Sequence, residues 1–444
     1  MHHGIDPIGW AVGIYIGLLL LACVVAIASK LITQLPYTIF LTLVGLGIGV
    51  LHIGPDLAET GFSHDLIFFV FLPPLLFQGA MHMELNRLLK QLGPIACFAV
   101  PGVVVSTLLV GGLVGWLGGI QPMLVALLFG ALISPTDPVS VLALFRKADA
   151  PEDLRTLVEG ESLFNDATGV VLFTILLDAV VRGGELGVGA ACLSFVQVSA
   201  GGLLLGAALG WVAFMVLRRL EDYLLENAIC LVLAYGSFWL AEVIHCSGVI
   251  ATVMAGLLVG NYGRRLSMSP KTTETVETFF ESVDFLVNSF LFILIGLELQ
   301  TIFEVMTPEV LVRGTSTAPA GGAALEAINP WQLLVVAIAA MLIGRAAVAY
   351  TFYWGLNQVG MRRPKAWKHI LFWGGLRGSI PIALLLHLPT AAKLPPECPL
   401  GQLRPALLLA GFGCVFFSLV VQGVTMRPLM RRLGIGGNGE HAAS

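Results

Sequence analysis

A cluster of polar side chains lies in the middle of a strongly apolar chain, in the stretch GESLFNDATGVV (residues 160–171). Residues four apart in a helix lie on one face, so Glu161 is aligned with Asn165 and Ser162 with Asp166. A carboxylate in a low-dielectric environment is costly unless it holds a proton or a cation. The spacing therefore predicts a buried acid, Asp166, for which a proton and a metal cation compete.

Two prolines interrupt the apolar run that precedes this cluster, ISPTDPVSV (residues 133–141). Each proline removes a backbone donor and leaves a carbonyl of the preceding turn without its usual partner. Asp137 followed by Pro138 is typical of a helix start, with Asp137 as the N-cap. The pattern predicts two half-helices that meet at residues 134–137. The oxygen atoms of Thr136 and Asp137, together with those of the polar cluster, suit a hard cation such as Na⁺.

A second interruption occurs near the C-terminus, in WGGLRGSIPIAL (residues 373–384). Three glycines and Pro381 surround Arg377 there, which predicts another broken helix. We expect Arg377 to offset the negative helix ends of its own span, and Asp137 to offset the positive ends of the first broken span. Paired broken helices in corresponding halves of a chain indicate an ion or substrate site near the middle of a membrane.

The composition places both interruptions in a membrane protein, because 57% of the residues are hydrophobic and only 12% are charged. At about 20 apolar residues per crossing, we predict an all-α polytopic membrane protein with about thirteen transmembrane helices. Their approximate spans are residues 8–29, 35–53, 63–81, 92–118, 122–145, 156–181, 190–217, 225–244, 247–261, 276–300, 330–355, 367–389 and 404–430.

The order of the spans predicts an internal symmetry. The broken spans are the fifth and the twelfth, and an odd offset means that they cross in opposite directions. This predicts two inverted six-helix repeats, residues 1–185 and 221–432, joined by a linking helix in residues 186–220 and followed by a short cytoplasmic tail, residues 433–444. Most of the 24 basic residues fall on alternate loops, which predicts an N-terminus outside and a C-terminus in the cytoplasm.

Four motifs occur in the order FLPPLLFQGA, ISPTDPVSV, GESLFNDATGVVLF and GGLRGSIPIAL. Together they resemble the monovalent cation:proton antiporters, in particular the bacterial NhaP-type branch that is related to the animal sodium/proton exchangers. The resemblance runs from about residue 8 to residue 432. It implies exchange of Na⁺ (or Li⁺) for H⁺ across the cytoplasmic membrane by alternating access, in a homodimer that needs no cofactor.

The resemblance also assigns roles to individual residues. It implies that Asp166 carries the ion and the proton, and that Thr136 and Ser162 complete the Na⁺ shell. It implies a structural ion pair between Glu161 and Arg345. The family associates an Asn-Asp pair with electroneutral exchange, which fits because an amide such as that of Asn165 cannot carry charge.

The sequence departs from many of these relatives at Gln78, where they carry a glutamate. The oxygen of the Gln78 amide can still coordinate the ion, but unlike a carboxylate it adds no negative charge to that of Asp166. K⁺/H⁺ exchange by the same fold therefore stays open as an alternative.

Polar side chains recur along one face of the tenth span, at Glu277, Glu281, Asp284 and Asn288. We expect Asp284 and Glu281 to line a cytoplasmic funnel that concentrates cations. A solvated helix end is the alternative interpretation for Glu277 and Glu281.

Other classes of function fit the sequence less well. An intramembrane aspartyl hydrolase could use Asp137 and Asp166, since two carboxylates can share a catalytic proton. The proline-flanked N-cap position of Asp137 and the second broken helix argue against it, so we expect no enzyme activity. A sensor that does not transport is a weaker alternative. Nucleic-acid binding is excluded, because the net charge is −4 and no basic stripe is present.

Overall fold

The computed structural model describes residues 7–31, 37–51, 67–137, 141–142, 144–145, 150–183, 187–220, 222–263, 270–305, 329–358, 360–361, 363–390 and 393–435. Within these ranges the chain forms helices and connecting turns, with no β-strand. Seven helices or continuous helical runs are long and apolar enough to cross a membrane. The prediction of an all-α, multi-pass membrane protein is confirmed at this level.

Apart from the short α4 (Leu85–Lys90), the described helices overlap the predicted spans. In chain order they are α1 Pro7–Leu31, α2 Tyr37–Val50, α3 Leu72–His82, α4 Leu85–Lys90, α5 Leu92–Ala99, α6 Pro101–Leu117, α7 Met123–Ile133, α8 Glu152–Val181, α9 Val188–Leu217, α10 Tyr223–Val243, α11 Gly248–Leu258, α12 Pro270–Val305, α13 Pro330–Gln358, α14 Lys365–Trp373, α15 Ser379–His387, α16 Leu400–Phe417 and α17 Gly423–Arg432.

Some predicted spans contain more than one helical segment. The span at residues 92–118 consists of α5 and α6, which meet at Val100 and Pro101. A proline has no N–H to continue the hydrogen-bond ladder, so α6 begins there as a new helix. Short π-helical turns, at residues 67–71, 259–263 and 418–422, precede α3, extend α11 and join α16 to α17.

The two breaks in the helices lie where the prolines and glycines predict them. Helix α7 ends at Ile133, and residues 134–137 are not helical. The cap expected from Pro138 lies outside the described residues, although residues 141–142 and 144–145 are again helical. Helix α14 ends at Trp373, and five non-helical residues separate it from α15.

Helix α8, which carries the polar cluster, lies at the centre of this arrangement. It packs against α5 and α7 and also contacts α15. Helix α13 packs against α6 and α16, while α16 also contacts α7 and α15. These contacts place both breaks and the polar face of α8 in one buried region.

Candidate ion-binding site

The two breaks cross each other in direct hydrogen-bonding contact. The backbone N–H of Asp137 donates to the carbonyl of Leu376 at 2.8 Å. The Asp137 side chain lies against Gly378, where an added Cβ would overlap it. Gly378 is therefore a close-approach position, and the crossing satisfies backbone groups that the breaks release.

Asn165 joins helix α8 to the first break by hydrogen bonds. The Thr136 N–H donates to Asn165 Oδ1 at 3.1 Å, and Asn165 Nδ2 donates to Thr136 Oγ1 at 2.6 Å. Thr136 Oγ1 also lies 3.1 Å from Ser162 Oγ. All three residues are buried. The amide of Asn165 thus sets the position of Thr136, and two hydroxyl oxygens converge beside it.

Asp166 lies at the same level of α8 and is only 8% exposed. Its Oδ1 is buried and accepts no hydrogen bond from the residues that the structure describes. Asp137, Arg377 and Glu161 are the charged groups within electrostatic range of it. A buried carboxylate oxygen without a donor is unfavourable until a proton or a cation binds it.

The side chain of Arg377 donates hydrogen bonds to the first break. Its Nη1 donates to the carbonyls of Ser134 and Pro135, at 2.5 and 2.9 Å. These carbonyls follow the C-terminus of α7, so the described hydrogen bonds of the Arg377 side chain lie at the first broken span, and the expectation that it offsets the ends of its own span stays a prediction. The crossing of the two breaks brings the guanidinium to the partner helix. Its own N–H donates to Ser418 Oγ at 3.0 Å.

Arg345 and Glu161 form an ion pair that is almost completely buried. Two guanidinium nitrogens contact the two carboxylate oxygens, and the Nη2–Oε2 distance is 3.1 Å. Arg345 Nε also donates to the carbonyl of Leu371, near the C-terminus of α14, at 2.9 Å. Arg345 therefore connects α8 to the half-helix that precedes the second break.

Sequence reasoning missed a group of hydroxyl side chains behind the first break. Ser134 Oγ lies 2.7 Å from the carbonyl of Gly130, 3.1 Å from Ser106 Oγ and 3.4 Å from Thr107 Oγ1. A cavity of about 10 Å³ is lined by Ser106, Ser134 and Glu161, and this is about the least volume that can hold one water molecule. Ser106 and Thr107 are adjacent residues in an otherwise apolar helix, and no spacing pattern marks them. Only Ser134, directly before a proline, gave a signal.

The remaining predicted residues lie at different distances from this centre. Asp284 on α12 is half-buried, accepts a hydrogen bond from Asn288 Nδ2 at 2.8 Å and is within electrostatic range of Asp137. Glu281 is exposed one turn away. Gln78 is half-buried on α3, and within the described ranges its side chain makes no hydrogen bond to Asp166. The structure thus brings Asp284 close to the breaks, but it does not bring the Gln78 amide into contact with the acid.

Comparison with known proteins matches residues 17–432 to a family described as "Sodium/hydrogen exchanger, transmembrane". The chain is 38% identical over 370 residues to the Na⁺/H⁺ antiporter NhaP of Pseudomonas aeruginosa, covering 82% of this chain and 80% of that protein. It is 36% identical over 449 residues to the Na⁺/H⁺ antiporter NhaG of Bacillus atrophaeus, covering 98% of this chain and 76% of that protein.

A solved structure has the same fold. It is that of the sodium proton antiporter MjNhaP1 from Methanocaldococcus jannaschii, with a TM-score of 0.77 and 20% sequence identity. The match covers 96% of this chain and 99% of that one.

Proposed function

The chain belongs to the family of transmembrane sodium/hydrogen exchangers, and from this premise we propose that it exchanges Na⁺ (or Li⁺) for H⁺ across the cytoplasmic membrane. The observation that carries the proposal is the Asp166 carboxylate, buried with one oxygen lacking a donor beside the crossing of two broken helices. Such an acid can hold either cation but is unfavourable when it holds neither. Competition for one acid is sufficient to couple two fluxes under alternating access.

The bound cation takes its oxygen ligands from the first break and from helix α8. Asp166 supplies the charge, while Thr136 and Ser162 supply hydroxyl oxygens that lie 3.1 Å apart. Oxygen ligands of this kind suit a hard monovalent cation. Asn165 positions Thr136, and Asp137 holds the second break through its N–H while adding negative charge. Gln78 acts from a distance on ion preference.

The two arginines keep this shell in place without moving charge. Arg377 satisfies carbonyls of the first break, and Arg345 satisfies the Leu371 carbonyl while neutralising Glu161. A guanidinium stays charged at any physiological pH, so neither group competes for the transported proton. Asp284 and the exposed Glu281 attract cations from the cytoplasmic side.

The architecture that we propose has thirteen crossings in two inverted repeats, residues 1–185 and 221–432, with residues 186–220 linking them and residues 433–444 as a cytoplasmic tail. The opposed, hydrogen-bonded breaks near residues 134–137 and 374–378 support it. The distribution of Lys and Arg supports an N-terminus outside and a C-terminus in the cytoplasm. The resemblance of the four motifs to the antiporter family implies a homodimer.

Of the two alternative functions, the aspartyl hydrolase is contradicted and K⁺/H⁺ exchange stays open. The family is one of transporters, which contradicts the aspartyl hydrolase. K⁺ as the exchanged cation stays a second candidate, because Gln78 replaces a charged side chain with a neutral one close to the helix that carries Asp166.

The experiment measures proton movement in everted membrane vesicles after addition of Na⁺, Li⁺ or K⁺, followed with a pH-sensitive dye. We expect Na⁺ and Li⁺ to dissipate the proton gradient and Asp166→Asn to abolish the response. Asp178→Asn is the matched control, since it makes the same substitution on the exposed outer part of α8. Full exchange by Asp166→Asn would contradict the site, and a response to K⁺ alone would favour the second candidate.

A further inference from the structure

A groove separate from the ion site lies between α13, α14 and α17. Its volume is about 460 Å³, within the range of about 300–1,000 Å³ that small-molecule sites have. Its walls are mainly apolar and aromatic, with Tyr350, Phe372, Trp373 and Leu429 among the lining residues. The charged side chain of Arg432 also lines the groove. This combination can receive an amphipathic molecule with an apolar part and an anionic part.

The charge around the groove has one sign. The segments that form it, residues 350–358, 365–373 and 423–432, contain no Asp or Glu. They contain five basic residues, namely Lys365, Lys368, Arg427, Arg431 and Arg432. The groove therefore complements an anion.

Two aromatic side chains indicate that the groove lies at the level of the membrane surface. Trp354, one turn beyond Tyr350 on α13, is 65% exposed, and tryptophan is enriched at the interface between lipid and water. The Lys368 ammonium lies 5.8 Å from the centroid of the Tyr350 ring, which lines the groove. Basic pockets between membrane helices on the cytoplasmic side are suited to anionic lipid headgroups.

We propose that this groove binds one anionic phospholipid of the cytoplasmic leaflet. The phosphate lies at Arg432, with Lys368 nearby, and an acyl chain lies along Phe372, Trp373 and Leu429. Such a lipid holds α13 and α14 together, and these are the helices joined by the bond from Arg345 to Leu371. The site goes beyond cation exchange and does not depend on it.

The test is lipid binding by the full chain purified in a neutral detergent. A ligand that binds only the folded state raises the unfolding temperature in a saturable manner. We expect phosphatidylglycerol to do this, and phosphatidylcholine or inorganic phosphate at the same concentration not to. A rise of equal size with phosphatidylcholine, or displacement of the lipid by inorganic phosphate, would overturn the proposal.

Two variants locate the lipid. Arg432→Ala should weaken the apparent affinity by about tenfold or more, since it removes a charged hydrogen-bond donor. Arg431→Ala removes the same charge from the neighbouring position, outside the lining of the groove, and should weaken it by about fivefold at most. Equal effects of the two substitutions would mean general attraction to a basic surface and would refute a site.

Leu429→Trp fills the groove and leaves every charge in place. We expect this substitution to abolish saturable lipid binding. If the variant is less stable without lipid, native mass spectrometry measures the bound lipid directly in place of the unfolding temperature. Bound phosphatidylglycerol retained at the wild-type stoichiometry in Leu429→Trp would place the lipid elsewhere and overturn the assignment.

Discussion

Breaking the buried ion pair between Glu161 and Arg345 should destabilise the protein far more than breaking an exposed pair. In Glu161→Gln the guanidinium of Arg345, 7% exposed, loses its counter-charge but keeps the Leu371 carbonyl. In Arg345→Gln the carboxylate of Glu161, 1% exposed, loses its partner, and the carbonyl loses its donor as well. The second substitution therefore leaves more buried groups unsatisfied than the first.

The magnitudes follow from burial. Removing one partner of a buried pair costs about 3–5 kcal/mol, because an uncompensated charge stays in the interior. Arg345→Gln should cost about 1.5–3 kcal/mol more, for the charged hydrogen bond to Leu371. In the double variant Glu161→Gln/Arg345→Gln both charges are absent, so its cost should fall short of the sum of the single costs by about 2–3 kcal/mol.

The assay is the thermal unfolding midpoint in detergent at one fixed scan rate, since unfolding of a large membrane protein is governed by rates. Asp178→Asn serves as the control on the same helix. It breaks the ion pair between Asp178 and Arg182, in which Oδ1 and Nε are 2.7 Å apart and the side chains are 58% and 76% exposed, respectively. This substitution should change stability by at most about 1 kcal/mol. Additive costs in the double variant would refute the reasoning, because the two groups would then act independently.

Three further predictions concern the ion site. Gly378→Ala should lower exchange and cost about 1–3 kcal/mol, because the new Cβ overlaps Asp137; Gly112→Ala, where a Cβ meets nothing within 4 Å, is the control, and equal behaviour would contradict the close crossing. Gln78→Glu should change the apparent affinity among Na⁺, Li⁺ and K⁺ without abolishing exchange, and unchanged affinity and selectivity would exclude Gln78 from influencing the ion. The apparent KM for Na⁺ should rise by about tenfold per pH unit on the acidic side of the optimum, since protons occupy Asp166 there; a KM independent of pH would exclude competition.

Much of the fold could be predicted from the sequence because a membrane imposes simple rules. Apolar length predicts helices, and proline and glycine inside an apolar run predict breaks at Pro135 and near Arg377. The alignment of Ser162 and Asp166 follows from the helical repeat. These features depend on local backbone geometry and solvent, which a single sequence contains.

The contacts across the site could not be predicted in the same way. The bond from Arg377 to the carbonyls of Ser134 and Pro135 depends on how two helices distant in sequence cross. The pair of hydrogen bonds between the Asn165 amide and Thr136, one accepted by Oδ1 and one donated by Nδ2, depends on the exact placement of a non-helical turn. The prolines indicate which backbone groups a break releases, but the partners of these groups have no sequence signature and appear only in three dimensions.

The charges around the crossing bear on the electroneutral exchange that the Asn-Asp pair predicts. The carboxylates of Asp137 and Glu161 lie within electrostatic range of Asp166, and the guanidinium groups of Arg345 and Arg377 share this region. Guanidinium groups do not deprotonate at physiological pH. Without Asp284, which lies within range of Asp137, these five groups sum to one negative charge when Asp166 is ionised, and a single monovalent cation or a single proton cancels it. Either form of the loaded site is then neutral, whereas the empty site carries charge into a low-dielectric region. Under the alternating access that we propose, movement of the site between the two sides of the membrane is therefore least costly when it is loaded with one ion of either kind, which is the condition for one-for-one exchange.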